Sequence, residues 1–176
     1  MASVIVGSGM ARARKSNKRA KRTAKSKRAR GRRAVSDAER GRRGVHDAER
    51  VTLELARGIA TIAAEPPPPS TTLRAALTQM TTAYASQAAV FFDAWKRART
   101  DKRAALALGW AREQLRLAVV ELLGRDAKAG RLRTEASHDA LAWIIVALGE
   151  SAVADTTDAV ERIDALTVVL GPSAAA

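Results

Sequence analysis

The charge on this chain is partitioned, and the partition limits what each part can fold into. Residues 1–50 carry 17 Lys/Arg against 4 Asp/Glu, whereas residues 51–176 carry 14 of each, so the whole surplus of +13 lies in the first fifty positions. All six aromatic residues (Tyr84, Phe91, Phe92, Trp95, Trp110 and Trp143) fall in the neutral part. A polycationic stretch without large apolar side chains cannot bury enough surface to offset the entropy of ordering. The Ala/Leu-rich remainder is long enough to build an ordinary core. The chain therefore reads as two parts, a basic segment over 1–50 that is expected to be disordered and a folded domain over 51–176.

Residues 11–33 concentrate the charge: Arg12, Arg14, Lys15, Lys18, Arg19, Lys21, Arg22, Lys25, Lys27, Arg28, Arg30, Arg32 and Arg33, with no acidic residue among them. Such a run attracts a polyanion, most readily nucleic acid, by neutralising phosphates and releasing counterions. It has no aromatic side chain on which bases could stack, which argues against single-strand recognition of that kind. A solubilising tail is the bland alternative. The run is followed by a short tandem repeat, AVSDAERGRR and GVHDAERVTL. Ser36 and Glu39 have capping-box spacing there, and Gly41 and Gly44 are expected to separate two short helical turns. The glycines of VIVGSGMARA, Gly7 and Gly9, imitate a dinucleotide fingerprint but lack the strand and the βαβ unit that the fingerprint requires.

The neutral part has helical periodicity throughout and no convincing strand, which predicts an all-α bundle of about five to six helices. The first helix is expected over 47–64, stopped by Glu65 and Pro66–Pro69. A long stretch over 71–98 is expected to break near Ala85–Gln87. Thr100 or Asp101 caps a helix over 101–128 whose stripe is Leu108, Ala111, Leu115, Ala118 or Val119, and Leu122, with Gly130 closing it. Thr134 is expected to open the next helix, through Leu148 to about Ala154. Thr157 or Asp158 opens the last one, ending at Gly171–Pro172.

Several functions find no support. The chain has no cysteine, so it offers no disulfide and no thiol nucleophile. His46 and His138 lie far apart, no metal-ligand cluster, serine elbow or phosphate loop is present, and Glu113, Glu121 and Glu150 show no pairing, so neither an enzyme nor a cofactor is expected. The longest strongly apolar run, Leu141–Leu148, is too short to span a bilayer, and the N-terminus does not read as a secretory signal. A cytoplasmic protein is expected.

In order, length and texture, residues 51–171 resemble the C-terminal domain of TetR-family transcriptional regulators. VTLELARGIATIAAE is similar to the helix linking head and body. The segment PSTTLRAALTQMTTAYASQAAVFFDAWKRARTD resembles the helices that follow. KRAALALGWAREQLRLAVVELLGRDAKAGRLR resembles the family's long helix and its closing loop, and HDALAWIIVALGESAV with DAVERIDALTVVLGP resembles the last two helices. The family's helix-turn-helix head is not legible in residues 1–50, so no residue is assigned to sequence-specific reading. Either a basic tail replaces the head or the start or frame of the coding sequence is in error.

The resemblance implies a homodimer formed by the last two helices, with Leu141, Ile145, Leu148, Val160, Ile163 and Leu166 at the interface. The aromatic cluster reads either as ordinary core or as an apolar ligand cavity between the helices, an option that the resemblance raises. The expected lining is Tyr84, Phe91, Trp95, Trp110, Gln114 and Trp143. The expectation is a DNA-binding repressor responsive to a small apolar ligand. The alternative is a nucleoid-associated protein that binds nucleic acid without sequence preference.

Overall fold

The computed structural model describes residues 39–64, 72–132, 135–155 and 157–170. The basic run of residues 11–33, Ser36 and the proline block Pro66–Pro69 lie outside them. Met1–Arg40 form one unit, of which only residues 39 and 40 are described, and Gly41–Ala176 form a second.

Six helices and no strand are found among the described residues, the all-α architecture expected. Helix α1 covers 39–64 without interruption. It is followed by α2 (Thr72–Ser86), α3 (Ala88–Ala98), α4 (Lys102–Lys128), α5 (His138–Ser151) and α6 (Ala159–Leu170). α4 is the spine: α3 and α5 pack on it, α2 contacts α3, α4 and α5, and α6 lies on α2.

Two expected helix starts are corrected. Gly41 and Gly44 do not divide α1, and its start precedes residue 47, so the expected boundary at 50/51 cuts a continuous helix. Val45, Ala48, Thr52, Leu55, Ala56, Ile59 and Ala63 are all buried at helical spacing, so one face of the helix reaches the core well before residue 51. Each helical glycine costs only about 1 kcal/mol relative to alanine, which the tertiary burial of this face offsets. The fifth helix begins at His138 rather than near Thr134, because the Ser137 hydroxyl accepts the Ala140 N–H (3.1 Å) and so sets the N-cap.

Other boundaries follow the sequence. The long stretch breaks at Gln87, where the backbone leaves helical geometry (φ −115°, ψ 21°) before α3 resumes. Asp101 caps α4 by accepting the Arg103 and Ala104 N–H groups at 3.0 and 3.3 Å. The other end of α4 closes around Gly130, the described residue with positive φ (70°). Gly130 N–H donates to the Ala127 carbonyl (3.0 Å) and Arg131 N–H to the Asp126 carbonyl (2.8 Å), a Schellman closure. Arg131 also pairs with the buried Asp126 carboxylate at 2.8 Å, tying the loop to the helix it ends.

The core runs through all six helices, with Ile59, Leu77, Met80, Tyr84, Phe91, Leu115, Leu122 and Ile145 almost fully buried. α1 is held to α4 at its C-terminal end, where Arg125 Nη1 donates to the carbonyls of Ile62 (2.7 Å) and Ala63. A cation placed on terminal carbonyls satisfies orphan acceptors and suits the helix dipole. At Gly149, α5 approaches α2 so closely that a Cβ would lie 3.2 Å from Met80 Cβ.

Candidate functional site

Five of the helices enclose a cleft of about 370 Å³, lined by Thr52 (α1), Tyr84 (α2), Phe91, Trp95 and Ala98 (α3), Leu108, Gly109 and Arg112 (α4), Glu150 (α5), and Arg99 between α3 and α4. Arg99 lies just beyond the end of α3. The aromatic wall comes from the α2–α3 break. It turns Phe91 onto Tyr84, with ring centroids 4.6 Å apart and tilted by 54°, and Trp95 follows one turn later, 6.1 Å from Phe91. Gly109 contributes no side chain, and a Cβ there would meet nothing within 4 Å, so the α4 wall is open at that point.

The polar part of the lining is charged. Arg112 Nη2 donates to Glu150 Oε2 at 2.8 Å, joining α4 to α5. The Glu150 side chain is only 18% exposed. Burial pushes its carboxyl up, opposed by the charge and hydrogen bond of Arg112. Burial likewise pushes the Tyr84 phenol up, reinforced by the nearby charge of Glu150, while its hydrogen bond with Thr52 acts the other way. Tyr84 is therefore a neutral hydroxyl in the wall of the cleft. Thr52 donates in turn to the Ala48 carbonyl at 2.9 Å, anchoring this polar end to α1.

Arg112 faces a second environment as well. Its guanidinium stacks over Trp143 at 4.8 Å from the ring centre, and Arg116, one turn along α4, lies 5.5 Å from the same ring. Arg116 is buried and holds Glu113 (2.8 Å) and Asp139. The ring of Trp143 is thus clasped from the α4 side, yet 40% of the residue remains exposed.

The six expected pocket residues do not meet in one site. Tyr84, Phe91 and Trp95 line the cleft. Trp110 and Gln114 instead line a separate groove of about 380 Å³ between α1 and α4, with Leu53, Ala56, Arg57, Ala60, Leu117, Ala118 and Glu121. Trp143 lies on the outward side of α5 against the two arginines. The reason is rotational: Leu108 and Arg112 turn toward α3 and α5, while Trp110, Gln114 and Leu117 project toward α1 or solvent.

The expected interface residues are corrected in the same way. Leu141, Ile145 and Ile163 are buried in the chain's own core, and Leu148 and Leu166 are half-buried against it. Of that set only Val160 is exposed. The apolar side chains that α5 and α6 actually present outward are Trp143, Ile144, Val160, Val168 and Val169.

Thr52, Arg99, Arg112 and Glu150 were not singled out in the sequence as cleft residues. Arg112 and Glu150 stand 38 positions apart on different helices, and no local spacing pairs them. Among the described residues no group of three or more His, Cys, Asp or Glu side chains could hold a metal ion. No helix there is long and apolar enough to cross a membrane. Comparison with models of known protein families, with curated proteins and with solved structures returns no match.

Proposed function

We propose that this chain is a DNA-binding transcriptional regulator whose helical body dimerises and takes up a small, largely apolar ligand. The observation that supports this reading best is the cleft itself. It has the size range of ligand sites and an aromatic wall with a few convergent polar groups. Its lining also includes Thr52 of α1, the helix that directly follows the polycationic stretch in the chain. A ligand that favours one setting of α1 over another changes how the basic stretches of a dimer engage DNA, provided its affinity differs between the two states. The outward apolar residues of α5 and α6 are the surfaces assigned to self-association.

The test is a salt series of duplex-DNA binding. It compares the full chain with a full-length variant in which the Lys and Arg residues of 11–33 are replaced by Gln. Binding that falls steeply with salt and is lost in the variant supports the assignment, and failure of the full chain to bind at physiological salt overturns it. Selection from a random duplex pool then separates a regulator from a packaging protein. A regulator enriches one short palindromic site by several orders of magnitude over bulk DNA, whereas a packaging protein enriches none. Light scattering of Ile144→Glu and Val168→Glu tests the dimer surfaces, with conversion to monomer expected.

A further inference from the structure

We propose that the α1–α5 cleft selects an aromatic ligand bearing a carboxylate, with the rings against Phe91 and Trp95 and the anion received by Arg99 and Arg112. The proposal rests on the reading of this cleft as a ligand site and specifies its chemistry. The charged lining consists of two arginines and one glutamate, a surplus of one positive charge. Glu150 already accepts from Arg112 Nη2 at 2.8 Å, so a cationic ligand would have to displace an ion pair to reach it. An anion at Arg112 shares that guanidinium with Glu150, and the uncommitted positive charge of the lining is that of Arg99. Arg112 Nε is buried and has no hydrogen-bond partner among the described residues, an unmet donor beside the existing pair. Arg99 is exposed and its side chain forms no ion pair among the described residues, so it can turn inward without breaking one. Arginine suits this role because its planar fork binds a carboxylate in bidentate fashion while its stem covers apolar surface. At about 370 Å³ the cleft accommodates two fused rings.

The experiment is calorimetry on the full chain with three probes sharing one ring system: 2-naphthoate, 2-naphthamide and 2-naphthylmethylammonium. It is run at high salt to screen the polycationic stretch. The naphthoate is expected to bind about tenfold more tightly than the amide, and the ammonium more weakly than both. Arg99→Gln is expected to reduce the preference for naphthoate over the amide. Gly109→Leu, which fills the open wall, is expected to abolish binding of all three. Equal binding of naphthoate and amide, or preference for the ammonium, overturns the anion assignment and leaves the ligand cleft standing. A naphthoate preference that persists unchanged in both variants belongs to the polycationic stretch and also overturns it. No binding of any probe overturns the ligand cleft together with this inference.

Discussion

Phe91 and Phe92 are adjacent and chemically identical, yet the fold assigns them opposite roles, so truncating each to alanine tests the rotation of α3. Phe91 is 2% exposed and sits between Tyr84 and Trp95, while Phe92 is 66% exposed. A buried phenyl side chain removes on the order of 150 Å² of apolar surface from water, worth about 4 kcal/mol at ~25 cal/mol per Å². Loss of the close Tyr84 contact adds about 1 kcal/mol. Alanine keeps its methyl group buried, which retains about 1 kcal/mol of the transfer term, so Phe91→Ala is expected to cost about 4 kcal/mol, within the usual range for such truncations. In a domain of this size that lowers Tm by about 12 °C. Phe92→Ala is expected to stay within about 0.5 kcal/mol of the parent. Urea unfolding followed by far-UV circular dichroism measures both. Equal losses, or a larger loss for Phe92, would refute the orientation of α3 and with it the aromatic wall of the cleft.

Three further outcomes are expected. Gly109→Ala adds a methyl group where nothing lies within 4 Å and replaces a helical glycine, so it is expected to raise stability by about 0.5–1 kcal/mol in the same unfolding assay. Ser137→Ala removes the side-chain acceptor for the Ala140 N–H and is expected to cost about 1 kcal/mol, whereas Ser137→Gly costs only a few tenths; equal costs would remove the cap argument. Glu150 has its carboxyl raised by burial, so the folded state holds the proton more tightly than the unfolded chain does. Its contribution to stability is full below the ordinary glutamate range and declines as pH rises through the raised folded value. Denaturation across mildly acidic to neutral pH should show this decline in the parent and its absence in Glu150→Gln.

Much of the fold is legible locally. The Asp101 cap, the break at Gln87 and the Gly130 closure each depend on groups within about one turn of the backbone they satisfy. The site is legible only in part. Tyr84, Phe91 and Trp95 share one stretch of chain and reach one cleft, while Trp110 and Trp143, equally aromatic and equally placed on helices, do not. Residue type marks a side chain as apolar, but which neighbour it meets depends on how its helix is rotated against the others.

The same division holds for the molecule. Charge partition and helical periodicity are properties of the chain itself, and they alone determine a polycationic segment beside an all-α body. Packing decided that α1 continues through Gly41 and Gly44, because burial of Val45 and Ala48 outweighs the weak helix preference of glycine. Packing also turned Leu141 and Ile145 inward, left Trp143 and Ile144 outside, and joined Arg112 to Glu150 across 38 residues. Backbone hydrogen bonds and caps are satisfied within a helix, whereas the crossing of one helix on another is set by side chains distant in sequence.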